Sequence, residues 1–125
     1  MPNADGINYG GDNNYFFSFN IGPVHVISIS TEFYYFLEYG FDQLAVQYKW
    51  LENDLKVANE AENRANRPWI IVMGHRPMYC SNTYVNDYNE TVHDCNFDDR
   101  VRVGLPYIHK FGLEELFYKH GVDGN

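Results

Sequence analysis

The stretch Trp69-Ile70-Ile71-Val72-Met73-Gly74-His75-Arg76-Pro77-Met78-Tyr79-Cys80 decides how this chain is read. Five apolar residues without polar alternation predict a short strand buried on both faces, as in the parallel sheet of an α/β protein. The strand stops at Gly74-His75, and Pro77 fixes the exit loop. In open α/β sheets ligands gather at the carboxyl ends of strands, which is where His75 falls. Gly74 removes a side chain beside it, so another backbone or an ion can approach closely. An imidazole held there is either a metal ligand or a satisfied structural histidine, and the residues alone leave both readings open.

Working outward, residues 15–20 and 24–30 read as two strands joined by the turn Ile21-Gly22-Pro23. In the second, Val24, Val26, Ser28 and Ser30 share one side, and His25, Ile27 and Ile29 share the other. The aromatic run Phe33-Tyr34-Tyr35-Phe36 reads as a loop lying across neighbouring structure. A helix is predicted from Asp42, a suitable N-cap, to about Asn59, because Leu44, Tyr48, Leu51, Leu55 and Ala58 form one apolar stripe. Residues 59–67 form a polar exit before the central strand. From 81 to 106 the pattern fails, so a long loop is expected there, functional or inserted. Residues 111–119 form a last short helix, ended by Gly121 at a C′ position.

The 125 residues are 45% hydrophobic and 18% aromatic, enough apolar surface for a packed core, which argues against disorder. Nine Lys and Arg against 17 Asp and Glu give a net charge of −8. A nucleic-acid or anionic-membrane partner needs a basic footprint, so neither is expected. No apolar run approaches the ~18–20 residues of a membrane span. The opening Met1-Pro2-Asn3-Ala4-Asp5 lacks the basic start and apolar stretch of a signal peptide.

Cys80 and Cys95 bracket the first half of the irregular region, at a spacing that fits no zinc pattern. In a cytosolic protein they would be free thiols or part of a metal site. Between them, Asn89-Glu90-Thr91 is an N-glycosylation sequon, so Asn89 is an acceptor if the chain is secreted. Both signals point to one compartment, the secretory pathway. A Cys80–Cys95 disulfide would close a loop of about fifteen residues and contribute roughly 3 kcal/mol in the chain-entropy model.

Val72-Met73-Gly74-His75 resembles the VxxH block of the calcineurin-like metallophosphoesterases, and the run from Gly74 to Ser81 is similar to its form in animal purple acid phosphatases. The runs 17–32, 47–55 and 113–123 resemble that family's paired upstream strands, following helix and late helix, in colinear order, the acid phosphatase type seven branch included. The family binds two metal ions through five blocks: a DxG aspartate, a GDxxY aspartate and tyrosine, a GNH asparagine, the VxxH histidine and a final GHxH-type pair. Only the fourth occurs here. The resemblance therefore implies that residues 1–125 are the central portion of a metallophosphoesterase catalytic domain truncated at both ends, a partial α/β sandwich with a mixed sheet flanked by helices.

The implied chemistry is hydrolysis of phosphomonoesters at a dinuclear centre, iron with a divalent zinc, manganese or iron ion, in a secreted or lysosomal protein. His75 would bind the divalent ion, and Arg76, Met78 and Tyr79 would line the rim of the cleft without a catalytic role. Most ligands would lie outside this chain, so the isolated chain is expected to be inactive. Many family members carry a substrate-contacting histidine about ten residues after the VxxH histidine. Here Tyr84-Val85-Asn86 stands instead, which leaves the leaving-group acid unassigned, with His93 a substitute only if the loop folds back. Two alternatives stand beside this reading: another metallophosphoesterase acting on diesters or nucleotides, and a non-catalytic secreted binding module. His25 reads as structural, His109 and His120 as helix-flanking residues, and Glu114 and Glu115 as a solvated helix edge, while His93 with Asp94, Asp98 and Asp99 forms a polar cluster that reads as a solvated loop in preference to a cation site.

Overall fold

The computed structural model describes residues 7–10, 14–37, 41–79, 83–93 and 99–125. Four strands form one mixed sheet: β1 (Asn8–Tyr9), β2 (Phe17–Ile21), β3 (Val24–Ser28) and β4 (Trp69–Met73), side by side in that order. The first two pairings are antiparallel, and β3 pairs with β4 in parallel. Between β3 and β4 the chain runs through a one-turn 3-10 helix (Thr31–Tyr34), α1 (Phe41–Ala58) and α2 (Ala61–Asn66), a βαβ crossover. A hairpin of β5 (Thr83–Val85) and β6 (Thr91–His93) follows, then α3 (Arg100–Val103) and α4 (Leu113–Lys119). The α/β class and the long helix follow the sequence reading. The aromatic run contributes to the 3-10 turn, α2 lies in the expected polar exit, and the hairpin and α3 lie in the expected loop.

The register sorts the side chains. His25 opposes Ile70 and Ile27 opposes Val72, so these share a face with Ser18. Ile27, Ile70 and Val72 are buried on that face with Leu44, Leu51, Leu55 and Ala58 of α1. Each such leucine contributes about 1.5–3 kcal/mol by leaving water. Two polar residues of α1 lie among its buried positions. Gln47 donates to the Ser30 carbonyl and accepts from the Ser30 N–H, at 3.0 and 2.8 Å, satisfying the backbone where β3 has ended. Asp54 accepts from Asn8 and Ser18, at 3.0 and 2.7 Å, and its other oxygen lies 2.6 Å from His25 Nε2.

β4 corrects two expectations: it is the edge strand of the described four-stranded sheet, not a central one, and it is not buried on both faces. Its burial alternates, with Ile70 and Val72 inside and Trp69, Ile71 and Met73 exposed at 54%, 38% and 47%. The strand is therefore buried on one face, not two, because the helices lie on the α1 side alone. Its outer edge is partly paired: Val72 N–H donates to Gly124 and Asp123 N–H donates to Ile70, each at 2.8 Å. The bare face continues through Ile21 of β2, exposed at 61%.

Gly121 ends the chain's last helix with φ of +63°, as a C′ glycine should. Nearby, His120 is buried at the end of α4, and burial, with repulsion from Lys119 and Lys56, holds its imidazole below the ordinary range despite the opposing pull of Glu52.

The one-sided strand makes a test in urea denaturation. Leu55→Ala should cost about 2–5 kcal/mol by opening a cavity against the sheet, whereas Ile71→Thr on the bare face should cost less than about 1 kcal/mol. Equal costs would show that both faces of β4 are packed.

Candidate functional site

The carboxyl ends of β3 and β4 meet where the Ile29 N–H donates to the Met73 carbonyl at 2.9 Å. Past this point the two strands part, β3 into the 3-10 turn and β4 into Gly74-His75-Arg76-Pro77. The gap between them opens into a cleft of about 280 Å³, lined by Thr31, Gly74, His75, Arg76, Met78, Tyr79 and Phe117 among others. His75 thus sits at the mouth of a cleft, with an exposed side chain. Arg76, Met78 and Tyr79 line it, the placement expected from the sequence.

The loop carrying His75 is pinned on both sides. The Arg76 N–H donates to Thr31 Oγ1 at 2.8 Å, and the Arg76 guanidinium forks onto Glu32 at 2.7 and 3.1 Å. The same guanidinium lies 4.0 Å from the Tyr35 ring centroid, and that of Arg100 lies 4.6 Å from it. The Arg76 hydrogen bonds hold the Glu32 carboxyl below the usual carboxylate range; burial opposes this, and the charges of Arg76 and His75 add to it. Further along, Tyr79 donates to Glu114, which also accepts from Arg102 at 3.2 Å. Glu114 is therefore not simply a solvated helix edge: it ties the exit loop to α4. The hydrogen bond to Glu114 also raises the Tyr79 phenol above its ordinary value.

The family model for calcineurin-like phosphoesterases matches residues 2–123. The chain belongs to that family. It is 56% identical over 110 residues to acid phosphatase type 7 of Danio rerio, covering 86% of this chain, and 53% identical over 114 residues to that of Homo sapiens, covering 90%. Purple acid phosphatase 15 of Arabidopsis thaliana is 29% identical over 114 residues, 91% of this chain and 16% of its own length. The chain spans 24% of the length of the two type 7 relatives. No solved structure matches significantly.

The phosphoesterase family implies a dinuclear metal centre. Among the described residues no group of three His, Cys, Asp or Glu side chains is placed to hold a metal ion. A metal pair needs several nitrogen and oxygen donors around it, so the residues described here do not fit a complete centre. Of the remaining expectations, Cys80, Cys95, Asp94 and Asp98 lie outside the described residues. Asn89 is described, with φ of +62° in the turn of the β5–β6 hairpin, where Asn86 Oδ1 accepts the N–H groups of Tyr88 and Glu90 at 3.0 Å. His93 pairs in backbone register with Thr83, and Asp99 is bridged to Arg102 at 2.8 Å. No helix among the described residues is long and apolar enough to cross a membrane.

Sequence reading missed the clamp made by Thr31, Glu32 and Tyr35. The available signal was the position of Glu32, an acid shortly after a strand and before four aromatic residues, where a solvated role is awkward. Gly74 completes the fit: a Cβ there would lie 2.7 Å from Thr31 Cγ2. Thr31 is 2% exposed and its hydroxyl is engaged by Arg76, so a rotation that clears the methyl breaks that bond. Gly74→Ala should destabilise by about 1–3 kcal/mol, and Thr31→Ser, which removes the methyl and keeps the hydroxyl, should restore most of that loss. Additive costs in the denaturation midpoints would place the strain elsewhere.

Proposed function

We propose that these 125 residues are the central portion of the catalytic domain of a metal-dependent acid phosphatase acting on phosphomonoesters, with His75 as one metal ligand. The observation that carries this reading is the juxtaposition of sequence and place. Identity of 53–56% to proteins named acid phosphatase type 7 extends over most of the chain. Within it, the Val72–His75 block sits at the carboxyl end of a parallel strand pair, at the mouth of a cleft. The other ligands are assigned to parts of the protein outside this chain. Iron with a divalent zinc, manganese or iron ion would supply a strong Lewis acid for the phosphate oxygens. The part played by this chain is to hold the His75 imidazole still, through the Thr31–Arg76–Glu32 clamp, and to wall the cleft with Met78, Tyr79 and Phe117.

The same reading includes a Cys80–Cys95 disulfide, a glycan on Asn89 and a secreted or lysosomal location. The hairpin supports it: Thr83 pairs with His93, which joins the strands leading to the two cysteines, and Asn89 stands at the exposed tip. For the phosphomonoester the complete centre, not this chain, would provide the compensating charge, since the chain itself carries −8.

The reading is tested in the full-length protein and in the chain alone. The full-length protein should bind two metal ions and hydrolyse an aryl phosphate between pH 4 and 8; His75→Ala should lose at least one ion and about a hundredfold or more in kcat/KM. The isolated chain should retain neither metal nor activity. Full activity in His75→Ala, or chelator-sensitive turnover by the isolated chain, would overturn the assignment.

A further inference from the structure

At the end of the sheet away from His75, a second cavity of about 170 Å³ opens between β2, β3 and the α1–α2 segment, bounded by Asn20, His25, Asp54, Asn63 and Arg67. His25 opposes Ile70 in register, so this cavity lies on the order of 15 Å along the strand from His75. It is separate from the cleft described above, and nothing in the phosphatase reading uses it.

Its hydrogen-bonding groups are unbalanced. The acceptors are engaged: Asp54 Oδ1 takes the Asn8 and Ser18 donors, Asp54 Oδ2 faces His25 Nε2 at 2.6 Å, and Asn20 Oδ1 faces His25 Nδ1 at 2.7 Å. The donors are not all spent. Arg67 Nε is buried and has no hydrogen-bond partner, and among the described residues no carboxylate pairs with its guanidinium. Asn63 uses one of its two amide hydrogens on the Val57 carbonyl, at 2.9 Å. Asn20 is exposed, and with its oxygen turned to His25 its NH2 is the group left to serve another acceptor. A guanidinium donor left buried and unpaired is costly, so Arg67 Nε calls for an acceptor. Among the described lining residues Asp54 is the acidic one, and its carboxylate is held by hydrogen bonds with His25, Ser18 and Asn8.

We infer that this cavity binds a small tetrahedral oxyanion, inorganic phosphate or sulfate, held by the Arg67 guanidinium together with the Asn20 and Asn63 amides. The donors come from three separate segments, β2, α2 and the chain leading into β4, so they approach from several directions, as the oxygens of a tetrahedral anion require. Charge-assisted bonds from a guanidinium are the strong members of such a set. The cavity admits a phosphate-sized group and not a nucleotide. The inference stands on this cavity alone and is independent of the phosphatase reading.

The test is titration of the 125-residue chain with phosphate, sulfate and acetate at constant ionic strength, followed by calorimetry and by the Arg67 Nε–H resonance. Phosphate and sulfate should each bind once per chain and shift that resonance, with acetate at least tenfold weaker. Arg67→Gln should weaken phosphate binding at least tenfold, whereas Lys56→Gln, which removes an exposed charge of α1, should leave it unchanged. If Arg67→Gln fails to fold, the wild-type resonance decides: no shift on saturation with phosphate overturns the assignment. Absence of saturable binding, equal binding by Arg67→Gln, or acetate binding as tightly as phosphate would each overturn it as well.

Discussion

The carboxylate of Asp54 accepts hydrogen bonds from three strands while belonging to the helix that covers them. Asn8 of β1, Ser18 of β2 and His25 of β3 converge on it, and its side chain is 7% exposed. Burial alone would push this carboxyl upward; hydrogen bonds and charge from His25, then the bonds from Ser18 and Asn8, more than offset that and leave it below the usual carboxylate range. The direction fixes the linkage. A group whose folded pKa is depressed contributes stability that is present above the unfolded value, near 3.9, and is lost as pH falls through the folded value. His120, also depressed on folding, acts earlier on the same descent, because the unfolded chain takes up its proton from about pH 6.5 downward while the folded chain resists.

With α1 anchored at Asp54 and Gln47, the apolar stripe of the helix has one register on the sheet, and the parallel pair β3–β4 follows. Their shared carboxyl end is the site: Thr31 leaves one strand, Gly74 and His75 leave the other, and the close approach of Gly74 to Thr31 brings the loops together. Arg76 then locks the exit loop through Thr31, Glu32 and Tyr35. The chemistry proposed for His75 is thus held by a chain of contacts that begins with the buried, hydrogen-bonded Asp54 carboxylate at the far end of the sheet. The bare face of Trp69, Ile71 and Met73 takes no part in it.

Much of this was legible because it depends on short-range pattern. The 3.6-residue recurrence from Leu44 to Ala58 gave α1, and the break at Gly74-His75 gave the end of β4 and the placement of His75. Unbroken apolar character could not tell one buried face from two, since Trp69, Ile71 and Met73 have the same composition whether covered or bare. Asp54 and Glu32 were missed for a different reason. Their partners lie 46, 36, 29 and 44 residues away in the chain, so no local pattern reports them. A clue did exist: Gln47 and Asp54 fall on the same stripe as Leu44, Leu51, Leu55 and Ala58, and a polar residue on a buried stripe requires a partner. In the region from 81 to 106, polar turn residues and strands of three residues fall below what periodicity can resolve.

The central claim, that the Asp54–His25 pair fastens the helix to the sheet, is tested most directly by a double-mutant cycle at pH 7 using Asp54→Ala, His25→Ala and the double variant. The account predicts a coupling free energy of about 1–3 kcal/mol between the two positions. Costs that add to within about 0.5 kcal/mol would contradict it, and would mean that the two side chains are neighbours without being the fastening.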